Sequence, residues 1–190
     1  KELSYNISMT SDNRWIALFS QTGSEIVDIS KKIDRWPDVI ITNSQNYNKI
    51  NTNIVTRGFI KIDPIQSRTL NILHNYAQYG DLVTLNGWLR IVPPEICKMY
   101  NLVNGHPGLI TRYPELKGID PQKRFWTNKD KYEYYGSVVH EVTAEVDEGK
   151  VLSFSEKKVN GTEKEPFELL KNTSLDAWLD FFKQQDIIRV

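Results

Sequence analysis

Cysteine and histidine are scarce in this chain of 190 residues, which contains one cysteine, Cys97, and three histidines. A single cysteine excludes an internal disulfide and is typical of a reducing compartment, so the sequence predicts a cytoplasmic protein. The histidines, at positions 74, 106 and 140, are widely separated and show none of the spacings typical of metal ligands. We therefore expect a site without a metal ion.

Net charge is absent, since 24 basic side chains balance 24 acidic ones, and long apolar runs are absent as well. A nucleic-acid site needs clustered lysine and arginine to neutralise phosphates, so we expect no nucleic-acid partner. No window holds the roughly 18 apolar residues of a membrane span, which predicts no membrane partner. The length indicates a single domain over residues 1–190 with a polar N-terminal tail at 1–13, acting as a monomer or a homodimer.

Apolar runs alternate with helical patterns through the first half of the chain. Buried strands are predicted at 15–20, 38–43, 58–62, 81–89 and 102–105, with helices at 25–33, 65–79 and 93–100. A strand pair follows at 136–143 and 150–156, and a closing helix at 165–184. This order predicts an α/β fold with a Rossmann-like open, mostly parallel twisted sheet, helices on both faces and an antiparallel C-terminal strand pair.

Polar loops follow three of the predicted strands, namely SQTGSE at 20–25, NGWLR at 86–90 and NGHPG at 104–108. Open α/β sheets bind ligands beyond the carboxyl ends of their strands, so we expect these loops to share one site. The first loop has two interpretations. It is either an anion cradle at a helix N-terminus, or an ordinary helix start capped by Ser24. The substrate-binding candidates in this loop are Gln21, Thr22, Gly23 and Ser24.

Asn104, His106 and Asp147 are the candidate catalytic residues. The amide of Asn104 can donate a hydrogen bond to an oxyanion, and His106 can gain or lose a proton near neutral pH. Positions i and i+2 of a strand point the same way, so both side chains would face one reacting group. A carboxylate such as Asp147 raises the pKa of a nearby imidazole. Lone Asp and His residues are more often structural, and the residues alone leave that alternative open.

The segment 104–118, NGHPGLITRYPELKG, and the later GSVVHEVTAEVDEGKVL resemble the folate-dependent formyltransferases, and within them most of all the glycinamide ribonucleotide transformylases. The shared features are an Asn-x-His-Pro motif, a later histidine-containing strand and an Asp-containing turn. LVTLNGWLRIVPPEICKMY at 82–100 is similar to the pterin-binding strand and loop of that family. The resemblance extends from Trp15 to Phe182.

The resemblance implies transfer of a formyl group from the co-substrate 10-formyltetrahydrofolate to the amine of a small molecule. Asn104 and His106 would stabilise the tetrahedral oxyanion, and Asp147 would keep His106 charged and relay the amine proton. Residues implied to bind the folate are Trp88, Leu89, Arg90, Val92, Val139, His140, Ala144, Glu145 and Val146. His140 would also help to hold the Asp147 loop.

The acceptor half departs from the family pattern, because Glu25 stands where the phosphate loop usually has an asparagine. A carboxylate repels a phosphate, so we expect an acceptor other than glycinamide ribonucleotide, such as a nucleotide-linked amino sugar. Glu148 replaces a glycine, and near Leu175 or Asp176 no residue clearly matches the acidic ribose ligand of the family. The alternatives are a phosphoribosylglycinamide formyltransferase of purine synthesis, a formyltetrahydrofolate hydrolase, and a non-catalytic folate- or nucleotide-binding module.

Overall fold

The computed structural model describes residues 13–161 and 166–185, so the predicted polar tail lies almost wholly outside the described residues. The seven strands of the described residues are β1 (Trp15–Phe19), β2 (Val39–Thr42), β3 (Ile60–Lys61), β4 (Leu82–Leu85), β5 (Asn101–His106), β6 (Tyr134–Glu141) and β7 (Val151–Lys158). They form one sheet in the order β3-β2-β1-β4-β5-β6-β7. The first five pair in parallel, and β6 and β7 pair antiparallel. The predicted Rossmann-like architecture is confirmed.

Helices cover both faces of the sheet. They are α1 (Ser24–Ile33), α2 (Thr52–Arg57), α3 (Pro64–Thr69), α4 (Leu73–Tyr76), α5 (Pro94–Met99), α6 (Pro121–Thr127) and α7 (Pro166–Gln184), with 3-10 turns at Tyr47–Lys49, Pro114–Leu116 and Lys129–Lys131. Alternate residues of β1 enter two different cores: Trp15 and Phe19 pack with α1 and α7, whereas Ile16 and Leu18 pack on the opposite face. Among the described helices, none combines the length and apolar character that crossing a bilayer requires.

Local backbone geometry accounts for the main differences from the sequence prediction. The single helix expected at 65–79 is wrong, because buried Leu70 adopts a left-handed φ of 52° and its N–H closes α3 on the Gln66 carbonyl. The strand expected at 81–89 ends at Leu85, just before Gly87 turns the chain with a φ of 72°. Helices α2 and α6 were not predicted, since both are short and lack a long apolar period.

The closing helix packs much as its apolar pattern predicts. Leu170, Trp178 and Phe182 are buried, and Leu179 is half-buried against the core that contains Trp178 and Phe182. Leu170 packs in a separate cluster. Phe181 is also buried, although the pattern did not single it out. The side chain of Phe167 lies outside the described part of the structure.

Candidate active site

The three polar loops meet at one edge of the sheet, as predicted. They follow β1, β4 and β5, which are neighbouring parallel strands. Hydrogen bonds tie the first two loops together: the Ser20 N–H donates to the Gly87 carbonyl at 3.1 Å, and the Leu89 N–H donates to Ser20 Oγ at 2.9 Å. The strand order reverses between β1 and β4, because β2 and β3 lie on one side of β1 and β4 and β5 lie on the other. This reversal makes the edge the topological switch point where open sheets bind ligands.

Strand β5 places Asn104 and His106 on one face. In the antiparallel pairing with β6, Asn104 lies opposite His140 and its Nδ2 is 3.4 Å from Nε2 of that ring. The rings of His106 and His140 are 6.4 Å apart between centroids. Gly105 turns towards the other face, where a β-carbon would lie only 2.6 Å from Trp178 Nε1. Glycine is therefore required between the two candidate catalytic residues.

Asp147 reaches the same point from the turn between β6 and β7. Its Oδ2 lies 3.5 Å from His106 Nδ1, and its Oδ1 lies 3.2 Å from His140 Nε2. The Gly118 N–H also donates to Oδ2, at 2.7 Å. The turn is tight: Asp147 has a left-handed φ of 55°, and a side chain at Gly149 would overlap the carbonyl of Glu141. This geometry joins four of the residues singled out from the sequence.

Burial and charge oppose each other in this cluster. Burial raises the pKa of Asp147, but the hydrogen bond from His140, the charge of His106 and the Gly118 N–H together lower it to about 2. Burial lowers the pKa of His106, and the nearby Asp147 carboxylate and Leu116 carbonyl only partly offset this. The His106 Nε2 donates to the Leu116 carbonyl at 2.8 Å, so both ring nitrogens face acceptors. Asp147 is thus a fixed anion beside a ring whose proton is easily lost.

The residues expected to hold the folate are spread over two loops that border one apolar cluster. Trp88 and Val92 are buried there, and Val142, at the start of the Asp147 turn, packs against the same cluster. Leu89 and Val146 are exposed by 66% and 53%, which is unusual for such side chains. Arg90, Ala144 and Glu145 are exposed as well. Among the described residues, the buried Trp88 Nε1 has no hydrogen-bond partner.

Val139 does not join the other folate candidates. It is completely buried and packs in the core between the sheet and helices α1 and α7. Neighbouring strand residues point to opposite faces, so Val139 faces away from the pocket side that His140 faces. The assignment of Val139 to a ligand pocket is therefore not supported by its position.

The first loop borders a cleft of about 230 Å³ that also reaches Gly105, Pro107 and Ser174. Gln21 and Thr22 are exposed, and Gly23 is the N-cap of α1 with a φ of 73°. The interpretation of Ser24 as the cap is wrong, because Ser24 is the first helical residue and its N–H donates to Thr22 Oγ1 at 3.2 Å. The loop candidates thus lie beside the candidate catalytic strand.

Glu25 makes contacts that the sequence did not indicate. Its carboxylate accepts hydrogen bonds from Asn86 Nδ2 at 3.3 Å, Ser174 Oγ at 2.8 Å and Trp178 Nε1 at 2.9 Å. Burial raises the pKa of Glu25, whereas these hydrogen bonds lower it and leave a net increase. Asn86 belongs to the loop at 86–90 that the sequence placed at the site, whereas Ser174 and Trp178 carry no recognisable signal, because they lie in the last helix, about 150 residues from Glu25.

Known proteins are similar to this chain in sequence and in fold. Phosphoribosylglycinamide formyltransferase of Dictyostelium discoideum is 29% identical over 143 residues, or 67% of this chain and 63% of that protein. The match thus spans less than two thirds of the length of that relative. The crystal structure of phosphoribosylglycinamide formyltransferase from Anaplasma phagocytophilum has a TM-score of 0.74 at 20% identity, covering 93% of this chain and 89% of its own.

A sugar N-formyltransferase from Shewanella sp. has a TM-score of 0.67 at 20% identity, covering 92% of this chain and 70% of its own. At such low identities these two structural matches show the fold alone. Family membership rests on a different match, in which residues 16–174 fit the family described as Formyl transferase. That match covers most of the sequence, and the chain therefore belongs to the formyl transferase family.

Proposed function

We propose that this protein transfers the formyl group of 10-formyltetrahydrofolate to a primary amine of a small molecule. The observation that carries the proposal is the contact of Asp147 with both His106 and His140 beside Asn104, in a chain of the formyl transferase family. The amine nitrogen attacks the formyl carbon and forms a tetrahedral oxyanion. The bond to folate N10 then breaks, and the proton lost by the amine balances the one gained by N10.

Asn104 and His106 are the donors proposed to stabilise the oxyanion. They lie two positions apart on one face of β5, so a single oxygen can receive a hydrogen bond from each. The His106 Nε2 now donates to the Leu116 carbonyl, and Asn104 Nδ2 faces His140. A bound formyl oxygen must compete with the Leu116 carbonyl for His106, whereas His140 Nε2 donates to Asp147 and so accepts no hydrogen bond from Asn104. Catalytic hydrogen bonds often tighten only in the reacting complex, so this geometry agrees with the proposed roles.

Asp147 is proposed to orient His106 and to relay the amine proton. An acid with a pKa of about 2 stays ionised at neutral pH and is a poor final acceptor. It therefore passes the proton on, to water or to the leaving N10, rather than storing it. The negative charge also favours the imidazolium form of His106 at the moment when the oxyanion develops.

The folate is proposed to bind between the loop after β4 and the Asp147 turn. Trp88 and Val92 form the buried floor, while exposed Leu89 and Val146 offer apolar surface on the two loops. The buried, unpaired indole N–H of Trp88 costs about 1–3 kcal/mol. Its nitrogen has no accessible surface, so an acceptor atom of a heterocycle would relieve that cost only after the loop shifts. Arg90, His140, Ala144 and Glu145 complete the proposed binding residues.

Two acceptors merit a direct test. The Dictyostelium and Anaplasma proteins are phosphoribosylglycinamide formyltransferases by name, which favours glycinamide ribonucleotide. Glu25 in the cleft favours a nucleotide-linked amino sugar instead, and the Shewanella protein is a sugar N-formyltransferase by name. Hydrolysis, with water as the acceptor, is the remaining catalytic alternative. We propose a cytoplasmic monomer or homodimer that needs no metal ion.

The test is a spectrophotometric assay with 10-formyl-5,8-dideazafolate, whose absorbance changes on loss of the formyl group. It is run without an amine, then with hydroxylamine, glycinamide ribonucleotide and amino-sugar nucleotides. Amine-dependent turnover supports the proposal, and the best amine identifies the acceptor class. Turnover that no amine accelerates assigns a hydrolase instead. Folate binding without turnover under any condition leaves a binding module and overturns the proposal.

A further inference from the structure

We propose that Glu25 is a specificity-determining residue, which admits an uncharged or cationic, hydroxyl- or amine-bearing part of the acceptor to the cleft and rejects a phosphate there. The inference rests on the proposed function, because it identifies this cleft as the acceptor site. The cleft borders Gly105 and Pro107 on either side of His106, so a group bound in it lies next to the candidate catalytic strand.

The hydrogen bonding of Glu25 leaves room for one further donor. Asn86, Ser174 and Trp178 each donate to the carboxylate, which offers about four acceptor positions in all. The amide nitrogen of Asn86 and the indole nitrogen of Trp178 can only donate, so they favour the ionised carboxylate against the effect of burial, which leaves the pKa of Glu25 above its ordinary value. A hydroxyl or ammonium group of the acceptor can occupy the remaining position. A phosphate oxygen cannot, because it has no proton to donate when ionised.

The charges around the cleft also disfavour a phosphate. Of the described residues that line it, Lys171 alone is cationic, and its Nζ already lies 3.6 Å from Asp28 Oδ2. With Glu25 ionised, the side chains of Glu25, Lys171 and Asp28 carry one net negative charge in total. A phosphate dianion would add two more without a free cation to pair with it. The N-terminus of α1 contributes only about half a positive charge, and Glu25 in its first turn offsets that.

The size of the cleft is consistent with a small polar group. Pockets for drug-sized ligands span about 300–1,000 Å³. The cleft, at about 230 Å³, therefore suits one small ring, such as a sugar, rather than a whole nucleotide. In a nucleotide-linked acceptor, the phosphates would lie outside the cleft, and the amine-bearing ring would lie inside it.

A matched pair of acceptors tests the proposal: glycinamide ribonucleotide and the same molecule without its phosphate. For the wild-type protein we expect kcat/KM to be at least tenfold higher for the dephosphorylated form. Glu25→Gln should move the ratio at least tenfold towards the phosphorylated form. Glu95→Gln is the matched control, because Glu95 is an exposed glutamate at the same position of the first turn of α5, and it should leave the ratio unchanged.

A binding measurement covers the case in which neither molecule is formylated. Ribose and ribose 5-phosphate are titrated by NMR, and the wild-type protein should bind ribose 5-phosphate at least tenfold more weakly than Glu25→Gln does. Equal or tighter binding of the phosphate form by the wild type overturns the inference, as does a wild-type preference for the ribonucleotide. The comparison of the two acceptors by the wild-type protein needs no variant, so the test stands even if Glu25→Gln does not fold. Hydroxylamine-dependent turnover reports the proposed function separately, because this small amine bypasses recognition in the cleft.

Discussion

Replacing Asp147 with asparagine removes one charge from the candidate site and turns one of its two accepting oxygens into an amide donor. The two side chains have the same shape, and asparagine tolerates the left-handed backbone that Asp147 adopts at φ 55°. In the wild type, Asp147 Oδ2 lies 3.5 Å from His106 Nδ1. At that distance, with an effective dielectric constant of about 20, a pair of unit charges interacts by about 5 kcal/mol. Losing half of this in the transition state slows the reaction by about 10²-fold, at 1.36 kcal/mol per tenfold.

The same substitution changes how stability depends on pH. The pKa of Asp147 is about 2 in the folded protein, below its ordinary value of 3.8, so the ionised carboxylate stabilises the fold. This contribution, about 2 kcal/mol, is complete above about pH 5 and is lost as the pH falls towards 2. Asp147→Asn should therefore be less stable than the wild type at pH 7, and the gap should close in acid.

Turnover with 10-formyl-5,8-dideazafolate and urea unfolding at a series of pH values measure both effects. Glu148→Gln is the control, since Glu148 belongs to the same turn but forms only an exposed ion pair with Lys117, at 2.7 Å. It should change turnover less than threefold. Turnover of Asp147→Asn within threefold of the wild type would refute the catalytic role of the carboxylate. A stability gap that is independent of pH would refute the electrostatic account.

Three further substitutions probe other parts of the site. Asn104→Ala should lower kcat about 10²- to 10³-fold while folate binding, measured by fluorescence, stays intact; a loss under tenfold contradicts its role as an oxyanion donor. Gly105→Ala should destabilise the fold by about 1–3 kcal/mol in thermal unfolding, because the new methyl group would overlap Trp178. Unchanged stability would mean that the indole can shift without a measurable cost in free energy. Trp88→Phe removes a buried, unpaired N–H, so the protein alone should keep its stability while folate binding weakens; unchanged folate affinity would place the pterin elsewhere.

Much of the architecture follows from short-range sequence patterns. Parallel strands buried on both faces read as continuous apolar runs, as in β1 and β4, and their alternation with helices predicts the sheet. The placement of Asn104 and His106 on one face follows from strand alternation. The same rule, applied to β6, would have excluded Val139 from the side that His140 faces.

Other features depend on contacts that no local pattern reports. The break at Leu70 arises because the buried leucine ends α3 in a left-handed turn, although the apolar spacing continues past it. Ser174 and Trp178, from the far end of the sequence, donate hydrogen bonds to Glu25. The local sequence alone therefore indicates only an ordinary carboxylate after a loop. Asp147 was found through family resemblance, since a single aspartate in a polar turn carries little signal by itself.

The contact of Trp178 with Gly105 and Glu25 has a consequence for synthesis on the ribosome. Translation delivers β1, the first loop and the Asn104–His106 strand long before α7 is made. Until then Glu25 lacks two of its donors, and the space beside Gly105 stays unfilled. A nascent chain can thus form most of the parallel sheet early, but the cleft takes its final shape only when the last helix docks. Unfinished chains should therefore be unable to bind an acceptor or use folate productively.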